Sequence, residues 1–192
     1  VSKMKRMTDN AFEFIFNSAL SVENIALAGT RGWIPETSKK ITEEDKVIIL
    51  REQGRLERSL IEAEKFNCEK IFAILHYPPF DEQRRPTKMM EIMKSHGVTD
   101  CIYGHIHGKQ NFNNLPKELE GIQLHLTSSD YLNFKPFFLQ NGMNHEKTKE
   151  SKLLAGFIYG DHHTKEYVYL PGSELGADLS LYTSDAADDL IG

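Results

Sequence analysis

The chain has 192 residues, 40% hydrophobic and 27% charged, with a formal net charge of −5, so it is long enough to bury a core. Nothing in that balance suggests a nucleic-acid-binding face, although nucleotides stay open as substrates, and it agrees with a soluble cytoplasmic globular protein. No run reaches the length of a membrane-crossing helix and no secretory signal is visible, although a removed signal stays open because Val1 is not an initiating Met.

In chain order, α and β patterns alternate. Val22 to Ala28 reads as a strand, and Gly29 to Thr42, with its Gly, Pro and Ser, as a loop. Thr42-Glu43-Glu44-Asp45 is an N-cap signal followed by Val47, Leu50, Leu56, Leu60, Ile61 and Ala63, which predicts a long amphipathic helix to about Phe66, weakened at Gly54. Ile71 to His76 reads as a buried strand. Pro86 opens a helix through Ser95 with Met89, Met90 and Met93 on its packing face, and Gly97 closes it. Asp100 to Tyr103 and Ile122 to Thr127 supply further strands. Cys68 and Cys101 are isolated and adjoin apolar strands, which predicts buried, reduced thiols.

The chemistry concentrates where apolar runs end. Ile71-Phe72-Ala73-Ile74-Leu75 runs into His76-Tyr77-Pro78-Pro79, and Cys101-Ile102-Tyr103 into Gly104-His105-Ile106-His107. If that segment is extended, His105 and His107 point to one face about 6.6 Å apart, so each can address a different metal ion. Neutral imidazole suits Zn, Fe, Mn or Ni, and two ions about 3.5–4 Å apart are common machinery of phosphoester hydrolysis. With 8 His in 192 residues, chance supplies about 0.3 His-x-His motifs per chain and far fewer with Gly in front. Taken alone, His76 reads equally as a hydrogen-bonded surface histidine.

Gly29-Thr30-Arg31-Gly32-Trp33, Leu75-His76-Tyr77-Pro78-Pro79, Tyr103-Gly104-His105-Ile106-His107-Gly108 and Thr127-Ser128-Ser129-Asp130-Tyr131-Leu132-Asn133-Phe134-Lys135 occur in that order. As a set they resemble the calcineurin-like metallophosphoesterase superfamily, and closely a bacterial branch of predicted phosphohydrolases, over residues 1 to about 135. The resemblance implies an α/β sandwich of mixed sheets flanked by helices. It also implies that His76 and His105 bind one metal and His107 the other, in an enzyme whose two divalent ions lower the pKa of a bridging water toward about 7 for attack on phosphorus.

The resemblance is partial. Its Asp-x-His, Gly-Asp and Gly-Asn-His-Asp/Glu motifs, which supply the bridging carboxylate, the Asn ligand and the His assisting the leaving group, do not precede His76. The expectation is therefore a fragment, residues 1–136, lacking the N-terminal portion of its domain. Three imidazoles cannot hold two ions with at least four ligands each, so this fragment should bind metal weakly and be inactive alone. Alternatives are a non-catalytic binding or scaffold module that keeps the fold, and a mononuclear site of another class using His105, His107 and Asp161.

Several residues carry two readings. Arg31, between glycines, reaches a substrate phosphate or makes a surface salt bridge. Trp33 and Tyr77 wall a pocket or simply pack. Pro78-Pro79 rigidifies the loop of His76. His125 reads as a satisfied core or interface histidine, and Arg84-Arg85 as a solvated turn. Asp161-x-His163 invites a displaced Asp-x-His reading but looks more like a polar loop between strands. Asn141 to Lys152 is linker-like, and the end, Leu181 to Asp189, resembles translated sequencing adapter, so residues 137–192 read as a tail of doubtful origin and not a domain. The expected substrate is a phosphorylated small molecule or nucleotide; metal identity and oligomeric state are not legible.

Overall fold

A computed structural model describes Ile15 and residues 17–135, together with the backbone of strands at 12–13, 137–139, 153–160, 163–169 and 178–181. The chain divides into two units, Ile15–Ser128 and a second made of Val1–Phe14 with Ser129–Gly192. This division differs from the expected boundary at residue 136. In the second unit, strands β1 (Phe12–Glu13), β8 (Phe137–Leu139), β9 (Leu153–Gly160), β10 (His163–Tyr169) and β11 (Asp178–Leu181) form one sheet in the order β1-β11-β10-β9-β8. The side chains of the expected Asp161-x-His163 lie outside the described residues, as does the linker-like stretch 141–152.

The first unit is α/β. Strands β2 (Ala19–Val22), β3 (Ile25–Thr30), β4 (Lys70–Leu75), β5 (Val98–Tyr103), β6 (Glu118–Leu119) and β7 (Ile122–Leu126) form a mixed sheet ordered β2-β3-β4-β5-β7-β6. The four central strands β3, β4, β5 and β7 are parallel, with an antiparallel hairpin partner at each edge. Helices α1 (Glu43–Glu64) and α2 (Lys88–Ser95) connect β3 to β4 and β4 to β5, and they touch each other. Such crossovers leave every parallel strand pointing the same way, so all four carboxyl ends gather on one side of the unit.

The core follows from residue size. Ala26, Ala28 and Ala73 on the sheet leave room for Leu56, Leu60 and Ala63 of α1, while Met89, Met90 and Met93 of α2 join the same buried cluster with Cys101 and Tyr103. Leu27, Phe72, Ile74 and Ile102, alternating with these, are buried as well. Burial on both faces explains why β3 reads as continuous apolar sequence.

The start of α1 matches expectation: Thr42 Oγ1 accepts from the Asp45 N–H at 3.1 Å, and Asp45 Oδ2 accepts from the Thr42 N–H at 2.9 Å. Its packing face matches only in part: Leu56, Leu60 and Ala63 are buried as expected. Val47, Leu50 and Ile61 are exposed, and the buried side includes Ile49, Glu52 and Ser59 instead, because a helix beside small strand residues can place polar groups where partners await them. The expected strand from Val22 to Ala28 crosses a tight turn at Glu23-Asn24, with Glu23 at φ 52. No glycine marks that turn; the Asn24 carbonyl holds it from outside by accepting the Glu69 N–H at 3.1 Å.

Helix α2 opens at Thr87 and not at Pro86, which instead bridges to Phe80, while the Thr87 hydroxyl donates to the Pro79 carbonyl at 2.8 Å. Gly97 closes it at φ 68, as expected. Arg85 is not merely solvated: its Nε donates to buried Asp81 at 2.8 Å. Cys101 is buried, Cys68 only partly, and both are free. Among the described residues no helix is long and apolar enough to cross a membrane.

Candidate metal centre

Backbone hydrogen bonds extend past the strand ends and fix the loops that carry the chemistry. The Arg31 carbonyl, just beyond β3, accepts from the N–H groups of His76 and Tyr77 at 3.0 and 3.1 Å. The His76 carbonyl accepts from the Gly104 N–H at 3.1 Å, and the Tyr103 carbonyl from the Thr127 N–H at 2.9 Å. Arg31, His76, His105 and Thr127-Ser128 therefore follow the carboxyl ends of the four parallel strands, where an open α/β sheet places ligands. Ser128 Oγ is buried there with no hydrogen-bond partner among the described residues.

The segment Gly104-His105-Ile106-His107 is not extended, which corrects the spacing argument made from sequence. Strand β5 ends at Tyr103, and the Ile106 N–H bonds to the Gly104 carbonyl at 2.7 Å around His105 at φ 66. This three-residue turn is a strained conformation for a non-glycine residue. It turns the His105 ring sideways toward the neighbouring strand end.

There His105 Nδ1 and His76 Nε2 approach to 3.2 Å, with ring centroids 5.0 Å apart. Tyr77 supports the pair, its ring 4.1 Å from that of His105 and edge-on to His76 at 5.1 Å. Trp33 lies 5.4 Å beyond Tyr77, and the Arg31 guanidinium sits over the indole at 4.4 Å. Trp33 is anchored in turn by its Nε1–H, which donates to Asp45 Oδ1 at 2.8 Å. The N-cap of α1 is thus linked to the histidine pair through an aromatic series.

Burial, then the charges of His76 and His107, push the His105 imidazole down to about 4. His105 is nonetheless solvent-exposed, which moderates the shift, but its direction leaves the ring neutral at pH 7 with a lone pair to offer. His107 lies beyond the turn, its carbonyl accepting from Asn111 Nδ2 at 2.6 Å. His125, expected to be satisfied, bonds Asp100 Oδ1 at 2.8 Å.

The donor set fits one ion better than two. Metal–nitrogen bonds of about 2.05 Å to two nitrogens at this separation subtend about 100° at the metal, between tetrahedral and octahedral angles. Among the described residues, however, no group of three or more His, Cys, Asp or Glu side chains is placed to hold a metal ion. The described residues thus bring together two imidazole nitrogens, those of His76 and His105. Sequence reasoning missed how Tyr77 backs His105 and how the Arg31 carbonyl joins two loops; Gly104 and Gly108 flanking the histidines were the available signal for a tight turn. No family model, no curated protein and no solved structure matches the chain.

Proposed function

We propose that this chain carries part of the metal site of a metal-dependent phosphoesterase of the calcineurin-like kind, in which His76 and His105 are neighbouring ligands of one divalent ion. The observation that carries the reading is their approach to 3.2 Å at the ends of two parallel strands. His107 belongs to the same proposal as a ligand of a second ion, together with carboxylates that the described residues do not supply. Bound there, a divalent ion would supply Lewis-acid polarisation of a phosphoryl oxygen. Arg31 offers a planar guanidinium matched to phosphate oxygens, and Trp33 and Tyr77 wall the approach. The substrate class in this reading is a phosphorylated small molecule or nucleotide.

Among the described residues the ligand set is incomplete, which favours a second reading, a non-catalytic module that keeps the fold and binds one ion. Titration with Mn²⁺ or Zn²⁺, paired with a chromogenic phosphodiester assay, separates the two. The phosphoesterase reading expects weak binding lost in His76→Ala and His105→Ala, no turnover by this chain alone, and metal-dependent turnover once Asp-x-His and Gly-Asn-His-Asp segments are supplied upstream. Metal binding without turnover in that extended protein selects the module. Absence of binding at about 1 mM metal overturns both.

A further inference from the structure

The solvent side of α1 carries one stripe: Glu43, Val47, Leu50, Gly54, Arg58, Ile61 and Lys65. At about 100° per residue these positions fall within about 80° of one another, opposite the buried Ile49, Leu56 and Leu60. Val47 is 66% exposed, Leu50 69% and Ile61 45%, a concentration of apolar surface that a monomer's helix does not need.

The stripe is symmetric about Gly54. Seven residues before and after it stand Val47 and Ile61, four before and after stand Leu50 and Arg58, and eleven before and after stand Glu43 and Lys65. The mean spacing, about 3.67 residues, is close enough to the helical repeat for the stripe to run straight along the helix. A surface that complements itself about its own centre is what a two-fold axis requires.

We propose that two copies of this protein pair through α1, antiparallel, with the two-fold axis at Gly54. Val47 of each copy then packs on Ile61 of the other, and Leu50 lies under the aliphatic stem of the other copy's Arg58. Glu43 meets Lys65 at both ends of the seam. Gly54 presents no side chain where the helices cross, and a Cβ there would meet only the Arg58 guanidinium, at 3.6 Å. Glu43 now bonds Lys46 at 2.6 Å, but both are exposed, so that pair yields readily to Lys65. Parallel pairing would instead set Glu43, Arg58 and Lys65 each against itself. Charge therefore selects the antiparallel arrangement. A seam about 33 Å long sits at the small end of specific interfaces, which predicts a weak, reversible dimer.

Sedimentation equilibrium of the full chain from about 1 to 500 µM tests this, with the range chosen to cover weak association. The expected result is a monomer that becomes a dimer, with Val47→Lys weakening association at least tenfold and leaving the melting temperature at monomeric concentration unchanged. Glu43→Lys and Lys65→Glu should each self-associate poorly, whereas a mixture of the two should form a heterodimer. In a Cys68→Ser background, Gly54→Cys should oxidise to a linked dimer and Val47→Cys should link to Ile61→Cys but not to itself. A monomer throughout the range, a charge-swapped mixture that stays monomeric, or Val47→Cys linking to itself as readily as Gly54→Cys, overturns the proposal.

Discussion

Glu52 is the most consequential buried polar group beneath the candidate site. Its side chain is fully buried in α1, with Oε2 accepting the Thr30 hydroxyl at 2.5 Å and Oε1 accepting Arg55 Nη1 at 2.7 Å. Glu52→Ala strands the Thr30 hydroxyl, at about 1–3 kcal/mol, and leaves the largely buried Arg55 without this partner. The two losses overlap, so the expected cost is about 3–5 kcal/mol, a large share of a typical domain's stability. Glu52→Gln keeps an acceptor for Thr30 and exchanges charge-assisted bonds for neutral ones, costing about 1–2 kcal/mol. Urea unfolding of both variants should show this ordering in the midpoint with the slope unchanged. Because Thr30 precedes Arg31, whose carbonyl holds the His76 and Tyr77 amides, those two amides should also exchange faster in Glu52→Ala. If Glu52→Ala is as stable as Glu52→Gln, the network is not what fixes the β3 strand end.

Three further outcomes are expected. Gly29→Ala should lower the melting temperature by about 5–10 °C in a thermal scan, because its Cβ would meet the Ile74 carbonyl oxygen, and a paired strand backbone cannot yield. His105→Gly should relieve the positive-φ strain and raise stability by about 1 kcal/mol in urea unfolding, while removing the proposed metal ligand. Burial raises the Asp100 carboxyl, but hydrogen bonds from His125 and Thr99 and the charges of His125 and Lys70 outweigh it and hold the group below its usual range. That stabilisation is full above the unfolded value of about 3.9 and is lost as pH falls through the lowered folded value, so melting profiles of Asp100→Asn should show a flatter acid limb than the parent.

What the sequence revealed and what it hid divide along physical lines. The buried apolar ends of β4 and β5 read as continuous apolar runs and β7 as an alternating one, so all three were found within a residue or two, and the Thr42 cap announced α1. The Glu23-Asn24 turn was invisible because contacts from Glu69, 45 residues away, hold it. The helical period of α1 was legible but its orientation was not: apolar residues lie on both sides, and Glu52 and Ser59 are buried because Thr30 and Gly29 bond them. The histidine motif drew attention to two neighbouring strand ends, where His76 and His105 meet. The reason first given, an extended pair, failed because the turn at His105, with its positive φ, ends the strand and sets its ring against His76.

The claim that His76 and His105 share one ion is tested most directly by long-range ¹H–¹⁵N correlation of the imidazole nitrogens during titration with Zn²⁺. The account predicts that His76 Nε2 and His105 Nδ1, the two nitrogens now 3.2 Å apart, move together to metal-bound shifts at one stoichiometric point. Metal-bound shifts at only one of the two rings, or at neither, would contradict it.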